Sequence, residues 1–190
     1  MTLAQPSSGF ALPPLVYTLC FLTRRDPADA GPADPGGVLR DGAFGRDDVL
    51  MLLRVRPPNR GLWNGVGGHI EPGENPHASV LREVQEETGY VLPAARFCGL
   101  LTWEGYEVPR GGLYIFTAPA PPGEPHPTPE GTLAWKPRRF VFTSDEVVSN
   151  IHRFGSPVLD GAAPQVYHFA YRRGQILRHE IYPLPPDFLV

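Results

Sequence analysis

The 190-residue chain predicts a mixed α/β or α+β sandwich, and three observations carry that reading. Short runs rich in β-branched and aromatic residues recur between clusters of Gly, Pro, Asn and Asp, the pattern of strands joined by turns. One segment, Asn75 to Gly89, carries both the start and the stop signals of a helix. A content of 42% hydrophobic residues with near-balanced charge excludes a disordered chain, and the length suits a single core. One domain over residues 1–190 is therefore expected. The 21 glycines and 24 prolines place long loops in it, at 26–48 and 118–129, after a flexible start at 1–14.

The elements follow in order. Leu15 to Thr23 (LVYTLCFLT) has the length and β-branched content of a buried strand. Asp26 to Asp48 has too little apolar content for an element and reads as a loop inserted between two strands. Val49 to Val55 resumes a strand, which Arg56 to Gly61 (RPPNRG) breaks. Leu62 to Ile70 (LWNGVGGHI) is extended and Gly-rich, which suits close approach of its backbone to something else. In the helix Asn75 is the N-cap, Pro76 falls at the first helical position, and Gly89 supplies the stop. Strands are expected at Ala95 to Trp103 and Gly112 to Thr117, with Arg110-Gly111-Gly112 as turn chemistry between them. Ala118 to Pro129 (APAPPGEPHPTP) reads as a Pro-rich surface loop and Leu133 to Lys136 as a short strand. Ser144 to Ile151 reads as a capped helix, and Gln165 to Arg172 with Gln175 to Tyr182 as a closing hairpin around Arg173-Gly174.

Seventeen basic against 20 acidic residues, a net charge of -3, provide no general field for a long polyanion, so no stable nucleic-acid partner is expected. No apolar run approaches the ~20 residues that span a bilayer, and Met1 to Pro14 lacks the basic start of a signal peptide. A cytoplasmic protein with no membrane association is expected. Cys20 and Cys98 form no CxxC pair and sit in apolar surroundings, which suits buried thiols of a reducing compartment.

The chemistry concentrates in the helix. Glu83, Glu86 and Glu87 fall at i, i+3 and i+4 and share one face, while Val80, Leu81, Val84 and Thr88 project on the other. Like charges so spaced each cost an isolated helix roughly 0.2–0.5 kcal/mol. A divalent cation turns that repulsion into attraction, and hard oxygen ligands suit Mg2+ or Mn2+ with phosphate oxygens in the remaining positions. The same acids, with Arg82 paired to Glu86, would also make an ordinary solvated face.

The flanking residues decide between these two. Gly68, Glu74, Arg82, Glu83, Val84, Glu86, Glu87 and Gly89 give the spacing G-x5-E-x7-R-E-V-x-E-E-x-G. That spacing resembles the Nudix box, the signature of the Nudix hydrolase superfamily, and departs from it only at Tyr90, where an aliphatic residue is usual. The resemblance implies an α/β/α sandwich with a catalytic loop-helix-loop, and hydrolysis of a nucleoside diphosphate linked to another moiety, with Mg2+ or Mn2+. It makes Glu83, Glu86 and Glu87 metal-binding residues and the carbonyl of Gly67 a further ligand. It makes Glu74 a supporting carboxylate and Arg82 the residue that orients the glutamates, with Glu83 or Glu87 as general base.

Upstream, Gly61 to Gly68 (GLWNGVGG) resembles the GRWNGFGG segment of family members that act on oxidised purine nucleotides. That implies base recognition by Asn64, with Gly68 and His69 beside the substrate; His69 replaces the usual Lys and brings no fixed charge. Downstream, Glu130 to Pro137 (EGTLAWKP) resembles the EGxLxWxP segment of MutT-type members, which implies Glu130 as a metal ligand from outside the box. Asn150 falls where the family places substrate contacts. The implied reaction is pyrophosphohydrolysis of 8-oxo-dGTP or a related nucleoside triphosphate. Tyr106 keeps dinucleoside polyphosphates open as substrates, other linked nucleotides remain possible, and a non-catalytic nucleotide-sensing module is the alternative of another class.

Overall fold

The computed structural model describes residues 11–25, 47–107, 110–185 and 188. The flexible start expected at 1–14 lies outside the described residues up to 10, and the inserted loop expected at 26–48 lies outside them up to 46. Its last two residues, Asp47 and Asp48, already belong to a strand.

The chain runs β1 (Leu15–Arg25), β2 (Asp47–Arg54), β3 (Trp63–Asn64), α1 (Pro76–Thr88), β4 (Arg96–Glu104), β5 (Arg110–Pro119), β6 (Gly131–Pro137), α2 (Arg138–Thr143), α3 (Ile151–Leu159), β7 (Gln165–Arg172) and β8 (Gln175–Pro183). The strands form one mixed sheet in the order β3-β2-β1-β5-β4-β7-β8, with β6 also paired to β2. β1 with β5 and β4 with β7 are parallel, as crossover connections require, and the other pairs are antiparallel.

Side-chain alternation sorts the core into two layers. Leu19 and Phe21 of β1, Val49 and Met51 of β2, and Tyr167 and Phe169 of β7 pack with Phe142 of α2 and Ile151, Phe154 and Val158 of α3. Their neighbours Cys20, Leu22, Leu50 and Leu52 point the other way, onto Val80 and Val84 of α1. The α/β/α sandwich is thus one helix against one face and a helix pair against the other. Cys20 and Cys98 are both buried free thiols, and no helix among the described residues is long and apolar enough to cross a membrane.

Three expectations are corrected. Arg110-Gly111-Gly112 is strand, paired to Glu104, Trp103 and Thr102, because the glycines make room for a neighbour: a Cβ on Gly111 would sit 2.8 Å from the Trp103 indole. Ala118 and Pro119 end β5 and do not open the Pro-rich loop. Ser144 to Ile151 is not a helix, because its backbone bonds elsewhere. Trp63 N–H donates to Glu146 at 2.8 Å, Val148 N–H donates to Trp63 at 3.0 Å, and only at Ile151 does α3 begin.

Candidate active site

The site begins with a close approach of backbones. Thr18 N–H of β1 donates to the Gly68 carbonyl at 2.8 Å, and Cys20 N–H donates to Val66 at 2.7 Å, so Val66 to His69 zips onto β1. Gly67 holds φ at 135° against β1, where a Cβ would strike the Thr18 carbonyl. A Cβ on Gly68 would occupy the place of the Glu83 carboxylate. The two glycines therefore bring the loop under the acidic face of α1.

That helix is fixed at both ends. The Asn75 side chain accepts from Ala78 N–H at 2.8 Å, and Gly89 takes the left-handed conformation (φ 76°) while its N–H donates to Gln85. The Pro-rich loop after β5 closes over this end: His126 N–H donates to the Thr88 carbonyl at 2.8 Å, and the buried Tyr90 donates its hydroxyl to Gly123 at 2.7 Å. The residue that departs from the box pattern thus ties that loop down.

Arg82 organises the glutamates. Its Nε and one terminal nitrogen grip both oxygens of Glu74, each at 3.0 Å, and its other terminal nitrogen reaches Glu83 at 2.9 Å and Glu86 at 3.1 Å. Arg82 also donates to the His69 carbonyl at 2.9 Å and to the Ser79 hydroxyl at 3.5 Å, so one guanidinium joins helix and glycine loop. The hydrogen bonds from Arg82 hold the Glu74 carboxyl below its ordinary range. Glu74 faces Arg82 and is not part of the cleft wall.

Glu87 behaves in the opposite way. It is 6% exposed, and burial pushes its carboxyl up to about 7, helped by the nearby Glu83 and Glu130 and opposed by the Gly67 N–H, which donates to it at 2.8 Å. Burial also pushes Glu83 up, against the pull of Arg82. Among the described residues no cluster of three His, Cys, Asp or Glu converges on a point. The donor set nevertheless fits a hard divalent cation. Glu83, Glu86, Glu87 and Glu130 are oxygen donors facing one cleft, and the buried carboxyls carry an electrostatic strain that a cation relieves.

The cleft has a volume of about 660 Å3. The carboxylates line one part of it together with Gly67, Gly68 and His69. Asn64 is on the wall, its side-chain oxygen accepting from Gly65 N–H at 3.0 Å, and so is Asn150. Sequence reasoning missed the aromatic part of the wall, Tyr17, Trp103 and Tyr171, as well as Arg54 and Asp145. Tyr17 meets the His69 ring edge-on at 4.7 Å, and Tyr106 lies 4.7 Å from Tyr171 while donating its hydroxyl to Asn59 at 2.6 Å. The alternation of β1, which sends Tyr17 and Leu19 to one side, was the signal available for Tyr17.

The family model described as NUDIX domain matches residues 32–160. An uncharacterized Nudix hydrolase, YvcI, of Bacillus subtilis (strain 168) is 34% identical over 94 residues, which cover 47% of this chain and 58% of that protein. An oxidized purine nucleoside triphosphate hydrolase of Danio rerio is 31% identical over 88 residues, covering 46% of this chain and 56% of that protein. The chain thus spans a little over half the length of these curated relatives. A mutator MutT protein of Bacillus halodurans has a similar structure, with a TM-score of 0.66 and 25% identity over 90% of this chain and all of that one.

Proposed function

The chain belongs to the NUDIX domain family, and on that premise we propose that it is a divalent-metal-dependent hydrolase of nucleoside triphosphates, oxidised purine nucleotides among them. The products are a nucleoside monophosphate and pyrophosphate. The observation that carries the reading is the composition of one cleft: Glu83, Glu86, Glu87 and Glu130 in the same wall as Asn64 and the rings of Tyr17 and Trp103. Carboxylates suit a cation and its phosphates, whereas flat rings beside an amide suit a heterocyclic base. The likeness to the Danio rerio hydrolase supports the same substrate class.

Glu83, Glu86, Glu87, Glu130 and the Gly67 carbonyl would hold Mg2+ or Mn2+. When bound, the ion neutralises phosphate charge and lowers the pKa of water. The protein supplies the rest. Glu83 or Glu87 takes the proton of the attacking water, the water oxygen bonds to phosphorus as the P–O bond of the α–β bridge breaks, nucleoside monophosphate and pyrophosphate separate, and no covalent enzyme intermediate forms. Arg82, held by Glu74, keeps Glu83 and Glu86 in register with the glycine loop. Asn64 and Asn150 offer amide donors and acceptors to the base edge. Gly68 gives the Glu83 carboxylate its place, and His69 lines the phosphate end.

The test is product analysis with Mg2+ and then Mn2+, comparing 8-oxo-dGTP, dGTP, diadenosine tetraphosphate and ADP-ribose at equal low concentration, with EDTA as the blank. Preferential release of pyrophosphate from 8-oxo-dGTP, abolished by EDTA, is the expected result. Faster cleavage of the dinucleotide would overturn the substrate and favour a role for Tyr106, which lines the cleft, in stacking a second base. No turnover of any compound would point to a nucleotide-sensing module instead.

A further inference from the structure

We propose that Arg54 is the residue of this cleft that receives the substrate's polyphosphate chain, an inference that rests on the nucleotide-hydrolase reading above. Among the described residues lining the cleft, Arg54 is the one Arg or Lys, set against Glu83, Glu86, Glu87, Glu130 and Asp145. A triphosphate entering such a wall meets repulsion from every carboxylate that a cation does not cover. A fixed positive charge in the same wall offsets it.

Backbone and side chain of Arg54 are both tied down. Arg54 ends β2, where its N–H donates to the Leu62 carbonyl at 3.1 Å and its carbonyl accepts from Gly61 N–H at 2.8 Å. Across the sheet it stands opposite Gly131, the neighbour of Glu130. Its side chain is fixed as well, because Nε donates to the Pro58 carbonyl at 2.8 Å. With Nε so committed, the terminal nitrogens are the part of the fork that addresses a ligand.

The chemistry matches a phosphate chain. A planar guanidinium donates two parallel hydrogen bonds to phosphate oxygens, and a side chain already held in place loses little freedom in doing so. His69, the other basic residue of the wall, packs its ring edge-on to Tyr17. Arg54 therefore selects for the length and charge of the phosphate chain, whichever base the nucleotide carries.

The experiment titrates inorganic tripolyphosphate, in the presence of Mg2+, into the wild-type protein, Arg54→Gln and Arg54→Lys. Thermal unfolding is followed for each. The expected result is a loss of affinity of at least tenfold in Arg54→Gln, on the order of one charge-assisted contact, with partial recovery in Arg54→Lys. In turnover the same variants should raise KM for a nucleoside triphosphate while kcat changes less. Tripolyphosphate binding that is undiminished in Arg54→Gln, or absent in the wild type, would overturn the proposal. Arg54-dependent tripolyphosphate binding in a protein that hydrolyses no nucleotide would support Arg54 and overturn the nucleotide-hydrolase reading. Nucleotide turnover with an unchanged KM in Arg54→Gln would do the reverse.

Discussion

Arg82 and Glu87 make opposite demands on their surroundings, and substitutions at each should separate structure from chemistry. Arg82 spends its guanidinium on Glu74, Glu83, Glu86 and the His69 carbonyl. A lysine keeps the charge but cannot span that set. Arg82→Lys should therefore lower stability by about 1 kcal/mol and turnover by roughly tenfold or more, read as a shift in denaturant midpoint and a fall in kcat. Glu87→Gln removes a buried acid and keeps its shape and its acceptor for the Gly67 N–H. Turnover should fall by about 10³-fold while the melting temperature changes little, measured by pyrophosphate release and by thermal unfolding. A small loss of turnover would remove Glu87 from the proposed machinery.

At the scale of the element, α1 is the part of the fold whose sequence signals and structure agree best. Asn75→Ala should cost about 1 kcal/mol through the lost cap. Gly89→Ala should cost more, since a Cβ there is strained at φ 76° and sits 2.6 Å from the His126 ring. Equilibrium denaturation of both variants checks the order. The cap was legible because it is written in adjacent residues, and so were the Arg173-Gly174 hairpin turn and the box glutamates. What was not legible depended on partners remote in sequence. Ser144 to Ile151 has helix-like spacing, yet Trp63 draws its backbone into a bridge. Arg110-Gly111-Gly112 reads as a turn until the Trp103 indole is placed over it. Arg54 reads in the sequence only as part of the Val49 to Val55 strand, and nothing local says that its side chain enters the wall that holds Glu87.

The whole molecule carries a pH dependence from a histidine that does not line the cleft. Burial pushes His168 below its ordinary pKa, partly opposed by the neighbouring Glu104 and Glu180, while its Nδ1 lies 2.9 Å from the Thr102 hydroxyl. A group whose pKa is lower folded than unfolded stabilises above the unfolded value and withdraws that support as the pH falls. His168 should therefore leave stability intact at pH 7.5 and erode it below about 6.5. Replacing it with Gln should shrink the difference in melting temperature between pH 7.5 and 5.5, and an unchanged difference would remove His168 as the cause.

The parallel pairing of β1 with β5 joins Leu15 to Gly112 and Thr23 to Pro119, stretches roughly a hundred residues apart in the chain. Such contacts close a large loop before they return any stabilisation, whereas α1 is signalled by residues within it and at its two caps. In a refolding reaction the helix should therefore gain its circular dichroism early. The strand that seats Gly68 and presents Tyr17 should be completed late, so that catalytic competence returns after the helical signal. The order of assembly then follows the order in which the sequence announces its function: the box that names the chemistry folds first and waits for the wall that makes it usable.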